Sequence, residues 1–308
     1  MFEDMVIVIT GGTGSFGRCM LKTLLKYHVK EVRIFSRDEE KQLDVQREVN
    51  DDRVTFWLGD VRDFDRVLEV CEDVDILFHA AAQKIIDSCE AHPVEAFKTN
   101  VNGTWNVKRA ALACNVHRNV LISTDKAVKP INFYGMTKGI AEKIWLDNHS
   151  LNKFMVVRYG NVIGSRGSVV PFFQRLIKEQ KPLPITDSKM TRFLLTLEQA
   201  INLVLQTTLY GEDKEIYVPD LSACNILDLA YAMGGKGYPL KRIGIRQGEK
   251  IHECLIQEYE MRRTESKGNY YIIRPMLRKA GLSEEYTSNS ARQLNQAEIK
   301  LLLKEAGL

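Results

Sequence analysis

The 308 residues carry 43 Lys and Arg against 40 Asp and Glu, a net charge of +3, and 44% of them are hydrophobic. So mild and evenly spread a balance excludes the strongly basic surfaces of nucleic-acid binders and of proteins held on acidic membranes. A chain of this length buries roughly three quarters of its unfolded surface, or divides into two lobes.

Short β-branched runs alternate with amphipathic stretches through the first half. Strands are expected over Met5–Ile9, Glu31–Phe35, Val54–Leu58, Asp75–His79, Asn119–Ser123 and Phe154–Arg158. Helices are expected over Phe16–Tyr27, Glu39–Val49, Phe64–Cys71, Pro93–Cys114 and Tyr134–Asn148. Near-continuous apolar strands separated by helices predict an α/β fold, a doubly wound parallel sheet of Rossmann type with both faces covered. After Arg158 the pattern is broken by Gly160, Gly164, Gly167 and Pro171, then resumes as helices over Phe172–Glu179 and Leu197–Thr208. From about Ile216 the elements shorten. The expected organisation is a dinucleotide-binding domain, residues 1–165 plus about 191–217, and a smaller substrate lobe, residues 166–190 and 218–308, with the active site between them.

The cysteines (Cys19, Cys71, Cys89, Cys114, Cys224, Cys254) form no C-x-x-C pair, and no His stands at metal-ligand spacing, so free thiols and no metal site are expected. The longest apolar runs fall far short of the about 18 residues of a membrane span, and Met5–Ile9 is too short for a signal segment. A cytoplasmic protein without a membrane or nucleic-acid partner is the expectation.

Thr10-Gly11-Gly12-Thr13-Gly14-Ser15-Phe16-Gly17 follows the first strand and opens the first helix. Gly11, Gly14 and Gly17 are spaced G-x-x-G-x-x-G, which allows a tight turn, close approach of a pyrophosphate to the backbone, and helix–strand packing. The helix N-terminus adds N–H groups for the phosphates, so Gly11, Thr13, Gly14, Ser15, Phe16 and Gly17 are candidate cofactor residues. The second strand ends in Ser36-Arg37 with Lys41 one turn on, where an NAD site usually has a carboxylate. This favours NADP. Asp38 keeps NAD open, and Arg37 with Lys41 also reads as an ordinary helix start. Asp60-Val61 suits an adenine edge or, equally, a helix cap. Ala80-Ala81-Ala82 admits a cofactor close to the backbone, or simply packs closely.

The run Ser123–Lys138 concentrates ionisable groups. Tyr134 and Lys138 are one helical turn apart and share a face, and a cation beside a phenol of ordinary pKa about 10 favours the phenolate. A simple alcohol oxidation needs only that pair. Asp125 and Lys126 beside it imply a second proton transfer.

These residues carry a resemblance. TGGTGSFG, Tyr134-x-x-x-Lys138 and RYGNV (Arg158–Val162) resemble the extended short-chain dehydrogenase/reductases. STDKAVKPINFYGMTK, MTRF (Met190–Phe193) and the Arg246-Gln247-Gly248-Glu249-Lys250-Ile251-His252-Glu253 stretch narrow it to the inverting UDP-N-acetylglucosamine 4,6-dehydratases of polysaccharide biosynthesis, over residues 5 to 275. The resemblance implies a UDP-sugar substrate, a homo-oligomer, and transient C4 oxidation, loss of water across C5 and C6, and return of the hydride to C6. Tyr134 with Lys138 would take the C4 hydroxyl proton, Thr124 would hold that hydroxyl, Lys126 would move the C5 proton and Asp125 would protonate the leaving oxygen. Asn161, Arg192, Arg246 and Glu249 match positions that hold the nucleotide, and His252 reads as structural. Where the family pattern has Lys-His-Val-Pro this chain has Lys84-Ile85-Ile86-Asp87, keeping only Lys84 as a substrate residue and leaving sugar choice and regiochemistry open.

Asp125 should raise the pKa of Lys126 if the two meet, whereas adjacent side chains of an extended stretch point apart, and burial depresses a lysine. Both outcomes stay open. Two competing readings are a UDP-sugar 4-epimerase, which needs no extra acid and base, and a non-catalytic NADP-binding regulator.

Overall fold

The computed structural model describes residues 2–165, 167–276 and 281–308. Residue 166, where the C-terminal lobe is expected to begin, and 277–280 within that lobe lie outside the described residues.

The first half runs β1 (Val6–Thr10), α1 (Ser15–Leu24), β2 (Glu31–Ser36), α2 (Glu39–Val49), β3 (Val54–Leu58), α3 (Phe64–Cys71), β4 (Ile76–His79), α4 (Ile86–Ala91), α5 (Pro93–Phe97), α6 (Gly103–Ala113), β5 (Arg118–Thr124), α7 (Phe133–Leu146) and β6 (Lys153–Tyr159). Every residue of β1 and β4 is buried, as strands covered on both faces require. Helices α2 and α3 start where Asp38 and Asp63 accept the Lys41 and Arg66 backbone N–H groups.

The second half adds β7 (Asn161–Val162), α8 (Val169–Lys178), β8 (Leu183–Ile185), β9 (Thr191–Leu195), α9 (Leu197–Tyr210), β10 (Ile216–Pro219), β11 (Ala223–Asn225), α10 (Ile226–Gly234), β12 (Leu240–Arg242), β13 (Cys254–Ile256), α11 (Glu258–Met261), β14 (Thr264–Lys267), β15 (Tyr270–Ile273), β16 (Tyr286–Thr287) and α12 (Gln296–Glu305). The main sheet has the order β14-β15-β10-β6-β5-β4-β1-β2-β3. From β3 to β10 the pairings are parallel, and β15 and β14 close the edge antiparallel. The α/β doubly wound expectation is met. Residues 264–273, expected in the substrate lobe, instead extend the main sheet. A second, smaller core gathers Val170, Phe173, Leu183, Leu229, Ile299 and Leu303.

Strand order reverses between β1 and β4, and in open α/β sheets ligands bind at the carboxyl ends of such strands. Thr10 and His79 meet there at 2.7 Å, and His79 reaches Thr104 at 3.0 Å and stacks on Trp145. Burial first, then Lys138, lowers His79 to about 3, so it is a neutral hydrogen-bonding post.

The single helix expected over Pro93–Cys114 is interrupted by a π turn at Lys98–Asn102. Asn100 in that turn accepts from the Gln83 N–H at 2.7 Å and donates to the Gln83 carbonyl at 2.9 Å and to Thr137 Oγ1 at 3.0 Å. The loop after β4 is thereby tied to α7. Among the described residues no helix is long and apolar enough to cross a membrane, and no cluster of three or more His, Cys, Asp or Glu is placed to hold a metal.

Candidate active site

Strand β5 ends at Thr124, and the chain passes straight into a 3-10 turn, Asp125–Ala127, whose Lys126 N–H donates to Thr124 Oγ1 at 3.4 Å. Gly135 on α7 packs against that turn so closely that a Cβ would collide with the Lys126 carbonyl oxygen. Asn132 caps α7 by accepting from Gly135 N at 2.7 Å, and Glu90 adds a second acceptor for the Phe133 N–H at 2.6 Å. Thr124, Asp125, Lys126, Tyr134 and Lys138 are therefore brought to one place.

Because the backbone turns here rather than extending, Asp125 and Lys126 do not point apart. Asp125 is fully buried, and its Oδ1 accepts from Thr124 Oγ1 and from Lys126 Nζ, both at 2.9 Å. Its Oδ2 has no partner. Burial favours the neutral amine of Lys126, but Asp125 and then Glu253 outweigh it and raise its pKa above the ordinary value. Lys126 is an ammonium in this arrangement.

The phenol of Tyr134 departs from expectation. Burial pushes it up to about 12, and the cation pulling it down most is Lys126, with a hydrogen bond from Thr124 helping. Lys138 instead donates to the Ile122 carbonyl at 2.8 Å, and burial lowers its own pKa to about 8 against the pull of Glu142.

At the glycine turn, Gly11 has φ +69°, and a Cβ there would stand 2.8 Å from the Ala81 backbone. Gly17 lies against Gly12 with no room for a side chain. Helix α1 has Gly14 at its N-cap and no side-chain cap, so its first N–H groups, at Ser15, Phe16 and Gly17, are left to an anion. Thr13 is buried, and its carbonyl accepts from Arg18 at 3.2 Å. Ala80 and Ala81 N–H groups are tied to Thr10 at 3.2 and 3.3 Å, and Ala82 follows without regular structure. This cradle fits a dinucleotide pyrophosphate.

Ser36 accepts from Gln42 at 3.2 Å. Exposed Arg37 reaches Asp60 at 3.4 Å, and Lys41 pairs with Asp38. The helix-cap alternative for Asp60 falls to Asp63, which caps α3. Asp60 instead accepts from the Arg62 N–H at 3.0 Å. Val61 is buried against Gly103 of α6.

The substrate candidates are less uniform. Asn161 presents a buried Oδ1 with no hydrogen-bond partner. Arg246 holds Glu249 through Nε at 3.0 Å. Arg192 gives its donors to the carbonyls of Thr191, Lys250 and Ile251 at 2.8, 2.9 and 3.1 Å, bracing the segment that carries the Glu249–Glu253 residues. Lys84 is exposed just before α4, which begins at Ile86. His252 meets Thr191 Oγ1 at 2.8 Å.

Lys250 and Glu253 stand in the R-x-G-E-K-x-H-E stretch with no role expected of them. Both enter the site: Glu253 lies 3.6 Å from Lys126 Nζ and Lys250 lies 3.8 Å from Glu253. Their place in the R-x-G-E-K-x-H-E stretch was the available signal.

The family model described as polysaccharide biosynthesis protein matches residues 7–275. A protein of Rickettsia bellii (strain OSU 85-389) named UDP-glucose 4-epimerase is 42% identical over 98% of this chain and 96% of its own length. The Rickettsia prowazekii (strain Madrid E) protein of the same name is 40% identical over the same shares. Among solved structures, Pen from Bacillus thuringiensis superposes with a TM-score of 0.94 at 34% identity, covering 99% of this chain and 98% of that one. A dTDP-glucose 4,6-dehydratase from Streptomyces venezuelae, solved with NAD and TYD, shares the fold at TM-score 0.74 and 20% identity, over 80% of this chain and 87% of that one.

Proposed function

This chain belongs to the polysaccharide biosynthesis protein family, a group of extended short-chain dehydrogenase/reductase-type nucleotide-sugar enzymes, and from that membership we propose that it is a 4,6-dehydratase acting on UDP-N-acetylglucosamine. The observation that carries the reading is the buried Asp125–Lys126 pair beside Tyr134. Oxidation and reduction at C4 alone need no acid and base beyond Tyr134, and this pair supplies both.

A nicotinamide dinucleotide, when bound, supplies the two-electron acceptor that oxidises C4 and the donor that afterwards reduces C6. Gly11, Thr13, Gly14, Ser15, Phe16 and Gly17 would hold its pyrophosphate, Asp60 and Val61 its adenine edge, and Ala80–Ala82 its path to the sugar. Ser36, Arg37 and Lys41 favour a 2′-phosphate, hence NADP, although the Streptomyces neighbour was solved with NAD.

Tyr134 takes the C4 hydroxyl proton while Thr124 holds that hydroxyl. The C4 ketone acidifies C5–H. Transfer of one proton across the 2.9 Å contact turns the Lys126–Asp125 ion pair into a neutral amine and a carboxylic acid. The amine then removes the C5 proton, the carboxyl protonates the departing 6-hydroxyl, and water leaves. Return of a proton to C5 with reduction at C6 gives a 4-keto-6-deoxy sugar with no net oxidation, and return on the opposite face inverts C5. Asn161, Arg246 and Glu249 serve the nucleotide, with Lys84 at the sugar's edge.

The second reading, a UDP-sugar 4-epimerase, is favoured by the names of the Rickettsia relatives. Incubation with UDP-N-acetylglucosamine in D₂O decides between them. Loss of one water with deuterium at C5 supports the dehydratase, and an isobaric product that keeps its C5 hydrogen supports the epimerase.

The reading also includes a homo-oligomer. Val94 and Phe97 on α5, Trp105 on α6, and Met136 and Ile140 on α7 are large exposed apolar side chains that a second copy would cover. Sedimentation as a monomer at micromolar concentration removes it.

A further inference from the structure

We infer that Glu253 is a positioning residue for Lys126, holding it in the site as a cation until the elimination step. The inference rests on the dehydratase reading for what Lys126 does, but its geometry stands apart from that reading. Glu253 is 3% exposed. Its backbone is clamped to Ser288, donating to Ser288 Oγ at 2.9 Å and accepting from Ser288 N at 2.8 Å, so the side chain is aimed inward. Its Oε1 lies 3.6 Å from Lys126 Nζ and 3.8 Å from Arg192 Nε, and its Oε2 lies 3.8 Å from Lys250 Nζ. Oε2 makes no hydrogen bond, an unusual state for a buried carboxylate.

The cluster is thus two carboxylates, Asp125 and Glu253, among three cations. A buried carboxylate oxygen that makes no hydrogen bond is not explained as a structural post. Its ion-pair partners are Lys126, Arg192 and Lys250, and the cation it shares with Asp125 is the one beside Tyr134. Lys126 is faced by Asp125 on its own turn, Tyr134 on α7, Arg192 on β9, and Glu253 and Lys250 from the segment before β13. Cys254 borders Lys250, its thiol kept protonated by burial at about 11. Burial lowers Lys250, whereas Lys126 is raised with Glu253 as its second carboxylate, which agrees with the geometric assignment. Glu253 thereby opposes early proton loss from Lys126, and Lys250 and Arg192 temper that opposition.

The test titrates Lys126 directly by NMR of isotopically labelled lysine, alongside the pH profile of C5 deuterium incorporation with NADP and UDP-N-acetylglucosamine. Glu253→Gln should lower the Lys126 midpoint by roughly 1 unit or more and move the rising limb of C5 exchange by the same amount, since a neighbouring charge at this range shifts a pKa by one to three units. Lys250→Gln should move both upward, and Glu253→Asp should recover part of the shift. A Lys126 midpoint unchanged in natively folded Glu253→Gln overturns the inference. If that variant does not fold, Lys250→Gln decides, with no upward shift overturning it. Absence of C5 exchange in the unaltered protein would defeat the dehydratase reading alone, and the Lys126 titration would still judge Glu253.

Discussion

Asp125 and Lys126, consecutive in sequence, aim their side chains at each other across 2.9 Å because a 3-10 turn begins immediately after Thr124. Asp125 is fully buried and Lys126 mostly so, and the pair stands as one unit in which each charge compensates the other. Its chemical value is that either internal arrangement is neutral overall, and one of them holds a base and an acid together. Lys126→Ala should therefore cut dehydration by about 10²–10⁴-fold, the range of a lost general acid or base. C4 oxidation, followed as formation of reduced nicotinamide, should persist but slow at a given pH, because Lys126 is the cation that most lowers Tyr134. Dehydration at the full rate would remove Lys126 from the mechanism.

Tyr134 and Lys138 are displaced in opposite directions by the same burial, one up to about 12 and the other down to about 8. In its proposed role as the base Tyr134 would act through its phenolate, so C4 oxidation should rise about tenfold per pH unit through the neutral range, as a group titrating well above the working pH requires. The linkage for Lys138 runs the other way. Below its folded pKa both states carry the proton and the burial penalty is felt in full. Between pH 8 and its ordinary value the unfolded chain binds more protons, so stability rises with pH. Lys138→Met should raise the thermal midpoint at pH 7, with the gain shrinking toward pH 10. Paired melting curves at the two pH values check the sign.

Much of this was legible in the sequence. The β1 to β6 strands are expected within one residue of where they lie, because their apolar, β-branched runs mark them, the less buried edge strand β3 included. The α2 and α3 bounds coincide with expectation because Asp38 and Asp63 precede their helices as caps. Helix α12 was missed although Asn295 and Glu298 spell a capping box, since the short elements before it drew no periodic frame. The π turn at Lys98–Asn102 leaves no mark on helical periodicity. It shows only in the hydrogen bonds of Asn100. The meeting of Asp125 and Lys126 depends on one turn of backbone, and that of Glu253 and Lys126 on a loop returning from more than a hundred residues away, and no local pattern encodes either.

In the NADP reading the choice of cofactor rests on Arg37, whose guanidinium is over half exposed and reaches Asp60 at 3.4 Å. That contact is weak enough to yield to a 2′-phosphate, which pairs with arginine through two parallel hydrogen bonds. Arg37→Ala should weaken NADP binding about tenfold, the worth of roughly 1.4 kcal/mol, and leave NAD binding nearly unchanged. Calorimetric titration with both dinucleotides measures the ratio. A ratio that does not move returns the preference to NAD.

Arg158 joins the two ends of the site from behind. Its guanidinium donates to Glu142 at 3.2 and 2.7 Å, to Glu260 at 3.0 and 3.1 Å and to the Leu255 carbonyl at 2.8 Å, all buried. Glu142 lies one turn beyond Lys138 on α7, and Glu260 lies on α11, just past the β13 strand that follows Glu253. Removing only the cation leaves two buried carboxylates without their partner, which typically costs about 3–5 kcal/mol, whereas neutralising all three groups at once restores much of the loss. Arg158→Met should thus lower the thermal midpoint steeply, and the triple change Arg158→Met, Glu142→Gln, Glu260→Gln should recover part of it. The functional consequence separates this from simple packing. With Arg158 gone, the uncompensated Glu142 charge acts more fully on Lys138 and raises its pKa. In any Arg158→Met protein that folds, the Lys138 titration followed by NMR should therefore move upward from about 8. An unmoved titration with a lowered midpoint would confine Arg158 to stability.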